Sequence, residues 1–583
     1  MKGGCYISLF LLAARLVSAQ GLTIPSGAYV IANTGNIVLQ NNWVNNGSFT
    51  HNGGTVIFGG TTQTLGGASP STFINLTIAT GSSTTIISPG QQVSGVLTSN
   101  DTLYANGNLT LLSSATQTAL INGSGTGEVV GNLTMQRYLP TGFGYYYFSS
   151  PFQADTVGNF SGVINLSASF PDFYSNNESL ADAGWVNYTT SSNILNPLAG
   201  YAVNFGTSTT PITVGLTGVV SNHTISATLY NHNETYTLGF NLVGNPYPSP
   251  IDWNSATGWT KTNIDNAIYF FSADSTNTDQ YGGTYSSYIN GVSSNGIASN
   301  LIAAMQGFFI HVSNGSYPVT GVLSVNNNAR NTNPSVTFLG VGGSNEPAPL
   351  LRLSAGFADQ TTTSDPVVVY LQDGASESFD PQLDALKLMN THPGVPSLYT
   401  VSTDSKLLSI QALPFPGNTL QTVPLGLTTA QDGWVSLQTR DIVQMPASLY
   451  IYLSDMQSGV RLDLRGNAPY RVYLAKGNYE GRFFLQLSPT ALTTTAGAAA
   501  ISGPLLDAYY TGSELMVRSN LPGGEKAGLS VFNSAGQLIY REELPDNSYH
   551  AITLPFVAAG VYVVSLTDGH TIYAKKIFIG EHP

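Results

Sequence analysis

Short runs of apolar and β-branched residues, divided by glycine, asparagine and serine, recur along almost the whole sequence. Apolar and polar residues alternate within many of these runs, as in NLTI at 75–78, GNLTLL at 107–112 and YRVYL at 470–474. Alternation places one row of side chains on each face of a β-strand, whereas the residues of one helix face recur every 3.6 positions. Runs this short, bounded by turn residues, predict an all-β chain.

Length and composition limit the classes of protein that fit this pattern. A chain of 583 residues is long enough for several domains, and its 42% of hydrophobic residues can fill sizeable cores. Only 19 residues are Lys or Arg, and the formal net charge is −13. Nucleic acid phosphates require a basic surface, so we expect no nucleic-acid partner.

The first residues have the pattern of a secretory leader. Lys2 precedes an apolar run at 5–14, and Val17-Ser18-Ala19 is a small-x-small cleavage site, which predicts a signal peptide at residues 1–19. The run is too short to cross a bilayer and no later stretch is long and apolar enough, so we expect no transmembrane span in the mature chain. Cys5 is the one cysteine, which leaves the mature chain without disulfide or thiolate chemistry.

Residues 20–139 contain related short pieces. The tetrapeptide G-N-L-T begins at Gly107 and at Gly131, and N-L-T also begins at Asn75, so the spacing is irregular. One apolar row within each piece would face inward, and stacked coils of this kind bury a continuous core only together. We therefore predict a β-solenoid-like repeat region, with a β-sandwich carrying long loops as the alternative.

Residues 140–345 read as one β-rich middle domain with long loops. Its segment GNPYPSPIDW carries alternate prolines, which fix φ and remove backbone donors, so it is predicted to be an extended crossing segment and not a central strand. Tyr247, Ile251 and Trp253 are expected to anchor this segment in a core.

In residues 346–489 the alternation of apolar and polar residues is more regular than in the preceding regions, and turn residues divide the runs at the spacing of a β-sandwich. We predict a β-sandwich here. One helix is predicted at 381–390, with Leu383, Leu386 and Met389 on one side. The following residues, 490–504, are small and polar, which predicts a flexible linker.

Residues 505–583 form a last group of short runs, which predicts a small Ig-like β-sandwich. Asp568-Gly569 lies between two runs and suits a type I′ hairpin turn. Asn533-Ser534-Ala535-Gly536 joins two others, with Gly536 suited to a left-handed position.

Three motifs in this last group carry a resemblance. VFNSAGQLI, LPFVAAGVYVVSLTDG and KKIFI follow one another in the order found in type A C-terminal sorting domains of Bacteroidetes, which this stretch closely resembles. The resemblance implies export by the type IX secretion system to the outside or the outer cell surface. It also implies that the partners are the secretion machinery and its sortase-like peptidase, which would remove the domain within the linker.

The resemblance assigns the sorting signal to five residues: Gly536, Gly560, Tyr562, Lys575 and Lys576. Neighbouring residues of a strand point to opposite faces, so the two lysines must lie on opposite faces of this strand. Lys575 would share its face with Ile577 and Ile579, and its ammonium would reach the edge. We expect recognition to use this exposed final strand.

The body of the chain also resembles surface proteins of Bacteroidetes. The segment GNLTMQRYLPTGFGYYYFSSPF at 131–152 is similar to a recurrent phrase of large proteins of this kind. The block at 346–489 is similar to a sandwich that often precedes type IX sorting domains. These resemblances bring no catalytic role with them.

Enzymatic motifs are absent from the sequence. None of the eight histidines is followed by Glu, no G-x-S-x-G occurs, and no Gly-Lys pair forms a phosphate loop. His223 and His232 are expected to be loop residues and not metal ligands. A distant carboxylate pair acting on a glycosidic bond is the remaining catalytic alternative. We therefore expect that the chain is not an enzyme and that it holds no cofactor.

One acidic stretch is a candidate for calcium binding. DGASESFDPQLD contains Asp373, Glu377, Asp380 and Asp384, and calcium takes six to eight oxygen ligands. The alternative is a loop in which Asp380 caps the short predicted helix.

The predicted function is therefore that of a secreted or surface-attached protein with a structural or adhesin-like role. The first alternative is a carbohydrate-binding surface protein whose partner is a surface polysaccharide or a host or environmental glycan, because exposed aromatic rings stack on sugars. The second is a polysaccharide-acting hydrolase.

Overall fold

A computed structural model describes residues 17–273, 280–338, 346–358, 363–466, 468–494, 506–510, 514–519, 527–544, 549–555, 558–567 and 572–579. Residues 1–16 of the predicted signal peptide, residues 495–504 of the predicted linker and the Asp568-Gly569 turn lie outside these ranges. Strands make up 52% of the chain and helices 2%, which confirms the predicted all-β class. No helix in the described ranges combines the length and the apolar character that a bilayer crossing requires.

The chain divides into two compact units. The first contains the described residues of Met1–Ala348, Val368–His392 and Leu408–Pro414. The second contains those of Pro349–Val367, Pro393–Leu407 and Phe415–Pro583.

The N-terminal part of the first unit is built from short strands. They are β1 (Val17–Ala19), β2 (Leu22–Ile24), β3 (Tyr29–Ala32), β4 (Asn36–Leu39), β5 (Trp43–Asn45), β6 (Ser48–His51), β7 (Thr55–Phe58), β8 (Thr62–Gly66), β9 (Thr72–Phe73), β10 (Asn75–Ile78), β11 (Ser83–Ile86), β12 (Gln91–Val93), β13 (Val96–Ser99), β14 (Leu103–Tyr104), β15 (Leu109–Leu111), β16 (Leu120–Ile121), β17 (Val129–Val130) and β18 (Leu133–Leu139).

These strands stack in parallel ladders, every third strand pairing with the next of its ladder. The orders are β1-β4-β7-β10-β13-β16, β2-β5-β8-β11-β14-β17 and β9-β12-β15-β18, and β3 pairs with β6. Val56, Leu76 and Leu97 lie side by side in one ladder, fully buried, at intervals of about 20 residues. The β-solenoid prediction is confirmed, and the sandwich alternative for this region is wrong.

The register also explains the irregular spacing of the N-L-T pieces. The pieces at Asn108 and Asn132 belong to one ladder, where Leu111 lies beside Met135. The piece at Asn75 starts β10, which belongs to a different ladder. One coil holds several strands, so the same tripeptide can occur at different corners of the solenoid.

The strands of the middle region follow. They are β19 (Gly142–Phe148), β20 (Asp155–Thr156), β21 (Phe173–Asn176), β22 (Trp185–Asn187), β23 (Ile194–Leu195), β24 (Tyr201–Ser208), β25 (Ile212–Gly218), β26 (Ile225–Asn231), β27 (Phe240–Gly244), β28 (Ile251–Asp252), β29 (Trp259–Thr262), β30 (Ile264–Ala273), β31 (Gly283–Ile289), β32 (Val292–Ser293), β33 (Leu301–Ile302), β34 (Gly307–Val312) and β35 (Val319–Val325), with 3-10 turns at Val157–Phe160 and Asn327–Ala329.

Antiparallel pairing replaces the solenoid pattern here. β25 pairs with β18 and so continues the third solenoid ladder into the middle region. The main sheets have the orders β19-β24-β21-β22, β27-β34-β30-β31-β32 and β26-β35-β29. The proline-rich segment runs between β27 and β28, and its anchors Tyr247, Ile251 and Trp253 are buried in one core, as the sequence predicts.

The region after residue 346 contains another group of strands. They are β36 (Leu350–Phe357), β37 (Asp365–Leu371), β38 (Ala385–Leu386), β39 (Ser397–Val401), β40 (Leu407–Leu413), β41 (Gln421–Thr429), β42 (Gly433–Val443), β43 (Tyr450–Asp455), β44 (Val460–Asp463), β45 (Tyr470–Leu474), β46 (Gly477–Asn478) and β47 (Phe483–Ser488), with a 3-10 turn at Leu464–Gly466.

Strands of this region pair with one another inside each of the two units. Within the first, β40 runs parallel to the second half of β37 and antiparallel to β38. Within the second, β36 pairs with β42 and β42 with β45, while β41 lies between β39 and β47, and β43 between β47 and β44.

The predicted helix at 381–390 is wrong. Its residues form a turn followed by the short strand Ala385–Leu386. Side-chain carboxylates accept hydrogen bonds from backbone N–H groups there. Asp380 Oδ1 accepts from Gln382 N at 2.8 Å, and Asp384 Oδ2 accepts from Asp380 N at 2.7 Å. Asp side chains that bind nearby backbone in this way compete with helix formation.

The C-terminal part of the second unit has two small sheets over one core. Its strands are β48 (Leu506–Tyr510), β49 (Leu515–Ser519), β50 (Ala527–Asn533), β51 (Leu538–Leu544), β52 (Tyr549–Ile552), β53 (Gly560–Thr567) and β54 (Ile572–Ile579). The sheet orders are β48-β49-β52 and β51-β50-β53-β54. Leu515 and Val517 from the first sheet and Leu529 and Val564 from the second belong to the same buried cluster.

Candidate functional site, an aromatic cleft

One face of the sheet β19-β24-β21-β22 forms the floor of an aromatic cleft. Tyr147 lies opposite Ala202, and Ala202 lies opposite Tyr174, so the three residues form a row across the strands. Tyr145 is two positions before Tyr147 in β19 and therefore faces the same side. The methyl group of Ala202 is much smaller than the flanking rings and leaves a depression between them.

Further aromatic rings extend this floor at both ends. At one end Tyr147 stacks on Phe271, with ring centroids 5.0 Å apart, and meets Trp185 at 5.8 Å. At the other end Tyr145 lies 6.2 Å from Tyr281, which lies 4.8 Å from Phe170. These separations are in the range of favourable aromatic contacts, so the rings support one another.

The rings enclose a cleft of about 260 Å³. Its lining consists of Tyr145, Tyr147, Phe170, Tyr174, Trp185, Ala202, Phe271, Tyr281, Tyr285 and Thr391. Phe170 is 51% exposed and Tyr281 is 45% exposed, so the rim presents open ring faces to solvent. Large apolar rings left in water in one place mark a binding surface more often than scattered single residues do.

Hydrogen bonds hold the walls in place. The hydroxyls of Tyr147 and Tyr285 lie 2.8 Å apart, and Tyr145 Oη donates to the carbonyl of Pro171 at 3.1 Å. Beside the cleft, Asn204 Nδ2 donates to Asp172 Oδ1 at 3.3 Å and to Gln280 Oε1 at 3.2 Å. The cleft therefore combines an apolar surface with polar groups at its edge.

Burial raises the pKa of several tyrosines of the cleft. It raises the pKa of Tyr285 to about 12, and it raises the pKa of Tyr145, with further contributions from Tyr174 and Asp172. Burial also raises the pKa of Asp172, against the hydrogen bond from Asn204. Neutral phenols donate and accept hydrogen bonds while their ring faces stay available for stacking.

Chemically, this arrangement suits binding of a flat or partly apolar ligand that carries hydroxyl groups. Aromatic faces give contact area, and the Tyr hydroxyls, Thr391 and Gln280 give a few oriented polar groups, which is the usual composition of a ligand site. No carboxylate is among the described residues that line the cleft.

The predicted calcium residues do not gather into a metal site. Asp384 is buried, and besides Asp380 N its carboxylate accepts from Ala412 N at 2.6 Å, whereas Asp373 and Glu377 are exposed. In the described ranges, no three His, Cys, Asp or Glu side chains come together as metal ligands. Calcium binding by Asp373, Glu377, Asp380 and Asp384 stays a prediction.

The two histidines considered as ligands each contact a glutamate. His223 Nε2 lies 3.1 Å from Glu128 Oε1 on the surface. His232 Nδ1 lies 2.7 Å from the buried Glu178 Oε2, which places this ring in a structural contact.

The predicted sorting residues lie in the C-terminal sheets. Gly536 has a φ of 78° in the turn between β50 and β51, as expected for a left-handed position. Gly560 starts β53, and the buried Tyr562 donates to the carbonyl of Ala558 at 2.9 Å. In the edge strand β54, Lys576 is exposed, while Lys575 Nζ binds Asp507 Oδ1 at 2.7 Å.

Sequence reasoning missed the aromatic cleft. The available signal was Tyr145-Tyr146-Tyr147 within GFGYYYF, because consecutive tyrosines in a strand place aromatic rings on both of its faces. Tyr146 packs toward the solenoid core, and its two neighbours face the cleft. The partners Trp185, Phe271 and Tyr281 are far along the chain, so spacing alone could not group them.

Comparison with known proteins gives two family matches. Residues 511–580 match the family described as Secretion system C-terminal sorting domain. The chain is therefore a type IX secretion substrate of the Bacteroidetes kind, exported to the cell surface or the extracellular space, as its terminal motifs predict. No curated protein matches the chain. Residues 31–487 match the family described as Domain of unknown function (DUF8693), and because this match covers most of the sequence, the chain belongs to that family.

Proposed function

We propose that this chain is an adhesin-like surface protein whose body binds a ligand in the aromatic cleft and catalyses no reaction. The observation that carries the proposal is the continuous set of rings from Phe170 to Trp185, with two open faces at the rim. Its hydroxyl and amide groups brace the walls, which keeps the rings in place before a ligand arrives. Preorganisation of this kind lowers the entropic penalty of binding.

Carbohydrate is the ligand class that the cleft favours. One face of a pyranose ring presents C–H groups that stack on aromatic rings, and its edge presents hydroxyls that pair with polar side chains. The cleft has both components, since Tyr174 and Trp185 offer ring faces and Gln280 and Thr391 lie at the edge. This supports a surface polysaccharide or a host or environmental glycan as the partner.

Delivery of this binding body rests on the sorting domain. We propose that the sortase-like peptidase of the type IX system cuts within residues 490–504 and releases the body to the surface. Support comes from the small, polar composition of this stretch. The missing enzymatic motifs named above support a binding role, and a distant carboxylate pair acting on a glycosidic bond stays the catalytic alternative.

The test is a glycan array probed with the secreted chain and with the double variant W185A/Y281A. Each lost ring removes an aromatic contact worth about 1 kcal/mol, so we expect the apparent affinity for the bound glycans to fall at least about tenfold. Y29A is the matched control, because Tyr29 is 56% exposed in β3 and lies outside the cleft.

Two results would contradict the proposal. Binding of no glycan above background would remove carbohydrate as the ligand. Turnover in a panel of polysaccharide and peptide substrates would remove the non-catalytic role.

A further inference from the structure

An arginine occupies the apolar row of the last solenoid strand. In β18 the inward positions are Leu133, Met135, Arg137 and Leu139, and all four are buried. The outward positions between them are only partly covered. Strand alternation therefore carries the guanidinium of Arg137 inside, where it is 2% exposed.

This guanidinium has few partners among the residues that the structure describes. Nη1 donates to Thr118 Oγ1 at 3.0 Å, Nη2 donates to the carbonyl of Val336 at 3.4 Å, and the Phe338 ring lies 4.7 Å away. Among the described residues, the buried Nε has no hydrogen-bond acceptor and no carboxylate pairs with Arg137. A guanidinium carries five N–H groups, so most of its donor capacity is unused.

A cavity of about 320 Å³ adjoins Arg137. Its wall carries hydroxyl and amide groups from Ser114, Gln117, Thr118 and Thr141, together with the rings of Tyr146 and Phe338. Among the described residues of this lining, Arg137 is the one charged side chain. The volume is that of a small-molecule site, and the wall combines a single cation with neutral polar groups.

A second arginine, the half-buried Arg330, shows what a structural role looks like in this molecule. Arg330 Nε donates to Ser249 Oγ at 2.9 Å, Nη1 donates to Asn327 Oδ1 at 3.4 Å, and Nη2 donates to the carbonyl of Ile121. All three of its nitrogens have acceptors. Arg137 differs because its Nε has no hydrogen-bond acceptor among the described residues.

The charge of Arg137 persists at neutral pH. Burial lowers the pKa of Arg137 to about 9, which is still above the pH of most environments. In the part of the chain that the structure describes, Arg137 has no counter-charge, and an anion that enters the cavity would offset the cost of burying this cation. Carboxylates match the guanidinium fork with two parallel hydrogen bonds.

We propose that this cavity binds a small carboxylate-bearing ligand, with Arg137 as the residue that pairs with the carboxylate. The hydroxyl and amide groups of the wall would hold the polar remainder of the ligand, so a sugar acid is the occupant that the lining suits best. The site is separate from the function proposed for the aromatic cleft. Phe271 lines both cavities, and for that reason it is not used as a test position.

The test is calorimetric titration of the secreted chain with sodium glucuronate, sodium acetate and glucose, at matched sodium concentration. We expect glucuronate to bind saturably and glucose not to bind. R137M removes the charge and should weaken glucuronate binding at least about tenfold, and R137K, which keeps a charge without the fork, should fall between the two. R440M is the control, since Arg440 is exposed.

The outcomes separate cleanly. Stronger binding of glucuronate than of acetate supports a sugar acid, and equal binding of both supports a site for simple carboxylates. If neither binds above the sodium chloride baseline, the proposal is overturned. It is also overturned if R137K, the variant more certain to fold, binds glucuronate as the wild type does. W185A/Y281A should leave this binding unchanged, so failure here and failure of the cleft are distinguishable.

Discussion

The solenoid and the sorting domain are both all-β, but they build their cores in different ways. In the solenoid each coil adds one residue to a row, as Val56, Leu76 and Leu97 do, and the row continues into the next coil. In the sorting domain two antiparallel sheets close over a single cluster that includes Val517 and Val564. The first core is extended and shared between neighbours, whereas the second is closed.

Polar residues mark the same difference. The solenoid interior holds Asn45, Gln63 and Ser71 fully buried, and Gln63 Nε2 donates to the carbonyl of Asn41 at 2.6 Å in the preceding coil. The buried cluster of the sorting domain is made of apolar side chains and Tyr562. Hydrogen bonds between coils make the stability of each coil depend on its neighbours. A destabilising substitution in the solenoid should therefore affect neighbouring coils, while one in the sorting domain should affect that domain alone.

Removal of a buried aromatic side chain from the solenoid core should have the largest effect on stability. Trp43 is fully buried, contacts Phe49 and Phe73 at 4.6 Å and 5.3 Å, and donates to Ser71 Oγ at 3.0 Å. Trp43→Ala should lower the free energy of unfolding of the solenoid by about 4 kcal/mol, because it leaves a cavity and removes the hydrogen bond to Ser71 Oγ. Hydrogen exchange should show lost protection in the coils on both sides.

Leu529→Ala is the matched substitution for the sorting domain, where this residue is fully buried. It should destabilise that domain by roughly 3 kcal/mol and leave the protection of the solenoid unchanged. Loss of protection confined to the coil of Trp43 in the first variant would break the comparison, since the solenoid would then consist of independent coils.

A much smaller effect is expected at the edge of the sorting domain. The Lys575–Asp507 ion pair has side-chain exposures of 40% and 14%, so solvent screens part of its attraction. Lys575→Met should therefore change the free energy of unfolding by less than about 1 kcal/mol. If this final strand is read by the secretion machinery, export of a reporter fused to 505–583 should fall although the domain stays folded.

Lys576→Met separates recognition from stability, because Lys576 is exposed. Full export of a reporter whose two lysines are both replaced would show that recognition lies elsewhere in the domain. Loss of folding in Lys575→Met would instead show that the ion pair is a larger structural element than its exposure indicates.

The last prediction concerns pH and the solenoid. Burial lowers the pKa of His51, and its Nδ1 accepts a hydrogen bond from Ile74 N at 3.0 Å, which the protonated ring could not do. Below its unfolded value of 6.5 the unfolded chain binds a proton that the folded solenoid resists, so stability should fall as the solution becomes more acidic. His51→Asn should flatten this dependence in thermal unfolding curves recorded between about pH 7 and pH 5.

The sorting domain is the reference for this experiment. Its thermal transition should have the same pH dependence in the His51→Asn variant and in the wild type. An unchanged acid dependence of the solenoid in that variant would assign the effect to other groups.

Local patterns in the sequence predicted the class of the fold and much of its organisation. Alternation within GNLTLL and GNLTMQRY gave the inward rows correctly, because strand geometry depends only on neighbouring residues. The same alternation places Arg137 inside, which was a visible signal. The terminal motifs gave the destination of the protein, since a sorting domain is recognised from its own residues.

The wrong helix prediction and the missed cleft both arise from contacts between residues that are far apart in the sequence. Leu383, Leu386 and Met389 have helical spacing, but the Asp384 carboxylate binds Ala412 N, which lies far along the chain and cannot be seen in a local pattern. The aromatic cleft needs rings from β19, β22 and β30 in one place. β19 and β22 belong to one sheet, whereas β30 belongs to another and meets β19 through packing such as the stacking of Phe271 on Tyr147. Tertiary contacts therefore decided what local propensity could not.

The parallel ladders have a consequence for the order of events during synthesis. Each ladder joins residues about 20 positions apart, so a coil can close as soon as the following coil has been made, and the solenoid can fold progressively from its N-terminal end. In the sorting domain, the Lys575–Asp507 contact joins the final strand β54 to the first strand β48. That domain can therefore close only after β54 has followed β48, and β54 comes later in the chain than every coil of the solenoid.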